Sequence, residues 1–342
     1  VTRVAVVGAG VAGLGVAFAL RDDADVTLFE RTERVGGRAT SHERNRCVYD
    51  VGANYVKSDD ERVSELVREL DEGLVETEGP VWTFDADEAI SEGRDEDDSK
   101  WTYRTGLRTL GTRLADASGA TVHTDTRITG LRRAESSDAE SWYVEDEDGD
   151  EYGPWDALVL TPPAPVTASL LDLAEWDDDL RRELREAIGH VPYRPVLSVA
   201  LHYSFEVERP YVRAGEHDKE HEVGWLSRES CKPGHVPEGE ELLIVQLSPE
   251  WSADHYDDDD FGVATAAAGY AADLLSEHPF AAPDWFDVVR WRDAQPNDGV
   301  DEAVLRRANE AGLFFAGDWV VGEGRVHRAL RSGLDAAEEI LD

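Results

Sequence analysis

The sequence predicts an α/β protein. A Rossmann-like dinucleotide-binding domain is joined to a discontinuous α+β domain that contains an antiparallel sheet. Three observations carry this reading. Near the N-terminus a buried strand runs directly into a glycine-rich turn and an apolar helix. The next strand ends in an acid and is followed by a second glycine-rich turn. A long stretch of aromatic and β-branched strands then interrupts the α/β pattern before a last buried strand delivers another acid.

The first unit is read residue by residue. Val4-Ala5-Val6-Val7 is continuously apolar, as a parallel strand buried on both faces must be. Gly8 permits the tight turn, Gly10 lets backbone approach a pyrophosphate, and Gly13 lets helix and strand pack closely. The helix then begins at Val11 and Ala12, and its unpaired amides and positive dipole end face the phosphates. Val26-Thr27-Leu28-Phe29 forms the second strand and places Glu30, followed by Arg31, against the ribose hydroxyls. The turn Gly36-Gly37-Arg38 returns the chain to the same pyrophosphate. A dinucleotide held along its whole length is a resident group, which indicates FAD rather than exchangeable NAD.

Arg34-Val35-Gly36-Gly37-Arg38-Ala39-Thr40 resembles the RxGGRxxT signature of the glutathione-reductase-like flavoproteins in the amine-oxidase branch. The resemblance implies that Gly36, Gly37 and Arg38 sit against the FAD pyrophosphate. Asp50-Val51-Gly52-Ala53-Asn54-Tyr55 is similar to the family's D-x-G-A-x-Y stretch, which implies that Gly52, Ala53 and Asn54 run beside the isoalloxazine. Leu313 to Asp318 is similar to its second FAD motif, with Gly317 and Asp318 at the ribityl or phosphate region. Arg325 and Val326 then open a helix, with Gly333 inside it, whose N-terminal amides face flavin N1 and O2. A backbone group near Ile128 is implied to face the adenine.

The bulk composition constrains the partners. Asp and Glu number 74 against 34 Lys and Arg, for a formal charge of −40. The lysines are Lys57, Lys100, Lys219 and Lys232 alone. Acid runs (Asp95-Glu96-Asp97-Asp98, Glu145-Asp146-Glu147-Asp148, Asp257-Asp258-Asp259-Asp260) recur along the chain in apparent turns. A docking face for a basic partner is one reading of them. Their spread, with lysine nearly absent, instead resembles adaptation to molar salt and predicts the cytoplasm of a halophilic archaeon. This field disfavours nucleic acid and anionic membranes as partners. Cys47 and Cys231 provide neither a disulfide framework nor metal-ligand spacing, so no metal is expected. The first strand starts within a few residues of Val1, so no signal peptide is expected, and no apolar run approaches membrane-spanning length. Oligomeric state is not legible, and the absence of methionine has no physical account.

Along the chain, helical spacing covers Glu61–Leu70, shorter stretches follow around Val81-Trp82-Thr83-Phe84, and 85–99 reads as an exposed acidic connection. Gly106 to Leu114 is amphipathic, Thr121–Leu131 alternates as one strand, and Trp142 to Asp150 makes a hairpin. Ala157–Leu160 is a buried strand ended by Thr161-Pro162-Pro163. Beyond Val166 a helix (Asp178–Ile188) precedes strands Val196–Tyr203, Val223–Leu226 and Leu242–Leu247, with a helix from Val263 to Leu275. The FAD domain is therefore expected over 1–56, 103–165 and 284–342, and the substrate domain over 57–102 and 166–283. The substrate pocket belongs between them.

Within the substrate domain, Trp225 to Gly234 is similar to the W-(I/L)-A-R-x-S-S-K-P-G stretch of renalase-like proteins. Gln246 to Ser252, Arg290 to Pro296 and the closing Gly317-Asp318-Trp319 to Val326 segment resemble them as well. The chain departs from that pattern at His235, Asp293 and His327, which bears on the substrate rather than the cofactor. The resemblance implies oxidation of isomeric NAD(P)H by hydride transfer to flavin N5, with O2 as acceptor. Such a dihydropyridine gains aromaticity, so no strong base is needed, only a pocket that holds the ring and excludes water. Asn54, Trp225, Trp319 and His327 are the candidate pocket residues, with Lys232 read as solvated and Cys231 as a small filler. The alternatives are a flavin amine oxidase, for which Lys57 is a candidate, a carotenoid-desaturase-like enzyme, and a non-catalytic FAD-binding protein.

Overall fold

The computed structural model describes residues 1–77, 79–93, 99–135, 140–176, 179–211, 213–216 and 220–342. The acid run at 95–98 therefore lies outside the described residues, as does the first residue of the helix expected from Asp178.

Five parallel strands form the dinucleotide sheet, in the order Thr121–His123, Ala24–Phe29, Thr2–Val7, Ala157–Leu160, Leu313–Phe315. Strand order reverses at Thr2–Val7, so the crevice for a ligand opens at its carboxyl end. Helices Val11–Ala19, Arg108–Ser118 and Val326–Leu341 cover one face through a shared apolar core. The first and last of these pack with backbones nearly touching. A Cβ on Gly333 would lie 2.2 Å from the Ala12 carbonyl oxygen, so only glycine fits there. The other face is covered by the meander Ile128–Glu135, Glu140–Asp146, Glu151–Trp155 and by helices Ala164–Leu173 and Asp179–Gly189.

The second sheet has seven strands. In order they are Trp285–Pro296, Tyr193–Tyr203, Glu241–Leu247, Val223–Arg228, Arg213–Glu216, Val81–Phe84 and Ile90–Ser91. Its pairings are antiparallel, as expected, except for Arg213–Glu216 against Val81–Phe84, which is parallel. Alternation divides its faces. Leu197, Val199, Leu226, Leu243 and Val245 pack under helix Asp260–Leu274, whose Val263, Ala264, Ala267, Ala268 and Ala271 give a small-residue contact face. Val196, Trp225, Gln246 and Trp291 point the opposite way, toward the first domain.

Several expectations need correction. Trp285–Pro296, assigned by sequence to the FAD-domain segment 284–342, is an edge strand of the seven-stranded sheet because it pairs with Tyr193–Tyr203. Helix Glu61–Glu69 lies in the interruption 57–102, yet Val63, Leu66 and Val67 share the core of the dinucleotide sheet; the strands at 81–84 and 90–91 are what that segment gives to the roof. Thr121–Leu131 is two strands, Thr121–His123 and Ile128–Glu135. Helix Ala164–Leu173 was not expected, because Pro162-Pro163 reads as a stop; Pro165 in fact sits in the first turn, where its missing N–H costs no hydrogen bond.

Candidate functional site

A cavity of about 1780 Å³ runs between the two sheets. At one end Gly8, Gly10, Val11 and Ala12 line it, opposite Gly36, Gly37 and Arg38. The two glycine turns are strapped together. Gly36 N–H donates to the Ala9 carbonyl at 2.8 Å, and a Cβ on Gly37 would stand 3.2 Å from Gly10 Cα. Gly36 and Gly37 adopt φ of +105° and +59°, which side-chain-bearing residues resist. Gly13 is behind this wall rather than in it; its Cβ would be 2.1 Å from the Gly8 carbonyl oxygen. Helix Val11–Ala19 has no side-chain cap, so its first amides stay open to an anion.

Glu30 ends the second strand nearly buried. Its carboxylate accepts from Ala9 N–H at 3.0 Å, from Thr32 N–H at 3.0 Å and from the Thr32 hydroxyl at 2.8 Å. It therefore braces the glycine turn as well as facing the cavity beside Arg31 and Ile128. Arg38 reaches across to Asp318 at 2.8 Å and donates to the Ala294 carbonyl at 2.9 Å. Burial pulls its pKa down, but the charges and hydrogen bonds of Asp318 and Tyr193 together outweigh this and leave it above its ordinary value. Gly317, Asp318, Arg325 and Val326 complete that wall.

The far end is organised around the Gly52 carbonyl, which accepts from Gln246 Nε2 at 2.8 Å and from Asn54 Nδ2 at 3.4 Å. Trp291 Nε1 donates to Val51 O at 3.0 Å, and Ala53 N–H to Arg38 O at 3.0 Å. The turn 51–54 is thereby fixed from both domains. Two buried polar atoms on this wall have no partner among the described residues: Asn54 Oδ1, an acceptor, and Trp225 Nε1, a donor. Buried orphans are costly unless a ligand or water meets them. An open helix end, a glycine cradle and unsatisfied groups in one long cavity are the fittings of a bound dinucleotide.

His327 also lines the cavity, with Nε2 3.3 Å from Asp59 Oδ1. Burial moves its pKa below the ordinary value despite the opposing charge of Asp59. Trp319 is placed otherwise than expected. Its side chain is fully buried in the core, its indole N–H donates to Pro162 O at 3.0 Å, and it is absent from the cavity lining.

Lys232, read from sequence as solvated, is the largest correction. Its ammonium lies 2.7 Å from Asp50 Oδ2 and 2.7 Å from Glu229 Oε1, with all three side chains fully buried. His235 Nδ1 lies 2.9 Å from Glu229 Oε2, and its Nε2 lies 2.9 Å from Tyr103 O. Asp50 Oδ1 accepts from Ser41 Oγ at 2.6 Å and Leu107 N–H at 2.8 Å. Asp50, Glu229 and His235 have the spacing of a three-ligand metal set, but the Lys232 ammonium already bridges its two carboxylates. Arg213, also buried, lies with its guanidinium 4.8 Å from the ring centre of Tyr55, a cavity-wall residue.

The charge of the cavity differs from that of the chain. Arginines match carboxylates in number along its lining, whereas Asp and Glu exceed Lys and Arg by 74 to 34 overall. No lysine lines it. Among the described residues no helix is long and apolar enough to cross a membrane.

Comparison with known proteins agrees with this geometry. The chain matches the family described as flavin containing amine oxidoreductase over residues 77–341, and an NAD(P)-binding Rossmann-like domain over residues 6–70. It is 44% identical over 69 residues to protoporphyrinogen oxidase 2, chloroplastic/mitochondrial, of Arabidopsis thaliana, a stretch covering 20% of this chain and 14% of that protein. Among solved structures it is similar to cyclohexylamine oxidase from Brevibacterium oxydans IH-35A (TM-score 0.74, 15% identity, 99% of this chain and 98% of that one). It is also similar to putrescine oxidase bound to putrescine (TM-score 0.73, 14% identity, 99% of each chain). At such identities the two structures share a fold with this chain. The family match covers most of its length, and the chain belongs to the flavin containing amine oxidoreductase family as an FAD-dependent oxidoreductase.

Proposed function

We propose that this enzyme oxidises a dihydronicotinamide dinucleotide, in the manner of the renalase-like proteins its sequence resembles. The observation that carries the reading is the pair of unsatisfied groups on one wall, Trp225 Nε1–H and Asn54 Oδ1. A nicotinamide carboxamide offers the complementary acceptor and donor. Trp225 and Asn54 are neighbours through Gln246 and Gly52, since Gln246 pairs with Trp225 and both amides bond the Gly52 carbonyl. The charge-balanced lining also tolerates a diphosphate that the rest of this acidic chain would repel.

FAD supplies the two-electron acceptor at N5, and O2 is the expected final acceptor, giving H2O2. The protein's task is positioning. Trp225 and Asn54 hold the carboxamide, Tyr55, Trp225 and Trp291 exclude water, and the N-terminal amides of Val326–Leu341 stabilise developing negative charge. No base is required, which suits a His327 pKa lowered by burial and a lining without lysine among the described residues.

Amine oxidation is the second reading, favoured by the family match and the aromatic wall of Tyr55, Trp225 and Trp291. Anaerobic flavin bleaching separates the two. Dihydronicotinamide dinucleotides carrying hydride at the 2- or 6-position are expected to bleach the flavin fast, 4-dihydro NADH slowly, and amines hardly at neutral pH. Rapid bleaching by a primary amine or polyamine, with no response to any dihydronicotinamide, transfers the assignment to amine oxidation.

A further inference from the structure

Arg194 and Arg325 are unusual among the arginines of this chain. Both line the cavity and, like Arg31 and Arg292 there, neither has a carboxylate ion-pair partner among the described residues, although acids outnumber bases 74 to 34. What sets Arg194 and Arg325 apart is that Gln295 links them. Arg194 lies in strand Tyr193–Tyr203 directly opposite Gln295. Its guanidinium donates to the Gln295 side-chain oxygen and, at 3.2 Å, to Asn297 Oδ1. Neutral amides thus orient the group without neutralising it.

The support for this arrangement is built in. Gln295 packs on Gly324, where a Cβ would stand 2.8 Å from the Gln295 side chain, so a larger residue there would push Gln295 away from Arg194. Arg325 follows immediately and donates to Gly324 O at 2.9 Å. Gln295 therefore touches Arg194 on one side and the residue preceding Arg325 on the other, and burial, then the charge of Arg325, lower the pKa of Arg194. Arg325 is exposed and Arg194 half-buried, so the two present positive charge at the cavity wall that an anion can join.

We propose that Arg194 and Arg325 form an anion subsite that binds the diphosphate of the dinucleotide substrate. The choice of substrate diphosphate rests on the proposed function. The FAD diphosphate is provided for elsewhere, at the glycine turns and the open end of Val11–Ala19. The Arg194–Arg325 pair instead stands at the start of Val326–Leu341. A guanidinium fork suits phosphate oxygens, and Gln295 fixes its plane.

The test uses the FAD-loaded enzyme at one fixed KCl concentration. Substrates are 6-dihydro NAD and N-methyl-6-dihydronicotinamide, which lacks phosphate. Arg194→Gln is expected to raise KM for the dinucleotide about 10-fold while changing kcat, and KM for the phosphate-free substrate, by less than about 2-fold. Gly324→Ala, which displaces Gln295, should raise the dinucleotide KM in the same selective way. FAD occupancy of Arg194→Gln should equal that of the wild type. Equal KM increases for both substrates, an unchanged dinucleotide KM, or loss of FAD each overturn the subsite. If neither substrate reduces wild-type enzyme, the functional reading fails by itself, and ADP-ribose binding followed by flavin absorbance decides the subsite. Binding to the wild type that weakens about 10-fold in Arg194→Gln supports it. No binding, or equal binding to both proteins, rejects it.

Discussion

Lys232 Nζ and Asp50 Oδ2 lie 2.7 Å apart with both side chains fully buried, joining the roof to the dinucleotide domain directly beneath the turn 51–54. Asp50 ends strand Cys47–Asp50, while Lys232 follows strand Val223–Arg228. The pair therefore fixes the relative position of the two walls that carry Asn54 and Trp225. Removing one partner leaves a buried charge uncompensated, which costs about 3–5 kcal/mol. Lys232→Met should lower the melting temperature sharply, and Lys232→Met combined with Asp50→Asn and Glu229→Gln should recover part of the loss. A stable single variant in calorimetry would contradict a structural role.

The same network sets a pH window. Burial pushes Glu229 up, but the charge of Lys232 and the hydrogen bond and charge of His235 outweigh it, bringing its pKa from 4.5 to about 2. Its contribution is present above about 4.5 and is lost as pH falls toward 2. Burial pulls His235 down, yet the Glu229 hydrogen bond and charge, with Asp50, leave its pKa above 6.5. That contribution is full below about 6.5 and is lost as pH rises through the higher folded value. Thermal melts should show stability falling on both sides of this interval, and His235→Gln should flatten the alkaline limb.

The dinucleotide half was legible because its chemistry is local. A strand, a glycine turn, a helix and an acid within thirty residues constrain one another, and the second turn follows at once. The buried network was not legible, since Lys232 and Asp50 are 182 residues apart and Lys232 precedes a Pro-Gly turn that reads as exposed. Trp319 illustrates the converse error. It stands beside Asp318 in sequence, but its packing against Phe315 turns the ring into the core. Part of the acidic excess has local work that composition conceals. Asp146 accepts from Asp148 N–H and Asp150 N–H in the hairpin turn, and Asp259 caps helix Asp260–Leu274.

The two tryptophans should separate pocket from packing. Trp225→Phe removes the unpartnered indole donor at the cavity and is expected to slow flavin reduction about 10-fold, with a small change in melting temperature. Trp319→Phe removes core volume and the bond to Pro162 O, costing about 1–3 kcal/mol, while reduction changes less than about 2-fold. Stopped-flow reduction and thermal melts on both variants provide the comparison; the reverse pattern would return Trp319 to the pocket.

Cofactor retention depends on the second glycine turn. Gly36 has φ of +105°, and a Cβ there would lie 2.9 Å from the Ala39 carbonyl oxygen. Gly36→Ala should therefore strain the turn by about 1–3 kcal/mol and lower FAD content at purification. Glu30→Gln should do so as well, because the carboxylate that braces Ala9 and Thr32 is lost. Added FAD should raise the melting temperature of wild-type apoprotein more than that of either variant.

Salt dependence tests the meaning of the charge. At a formal −40, repulsion between surface carboxylates is screened over about 10 Å in 0.1 M salt and about 3 Å in 1 M. Surface ion pairs such as Arg62 with Asp335 and Glu338 weaken over the same range, but each contributes about 1 kcal/mol or less. The repulsion of the excess acids involves many more pairs, so screening it should dominate. The melting temperature is expected to rise steeply with KCl into the molar range. A flat profile would mean that the acids repel little in the folded state, and would favour a basic partner as the reason for the acidic surface.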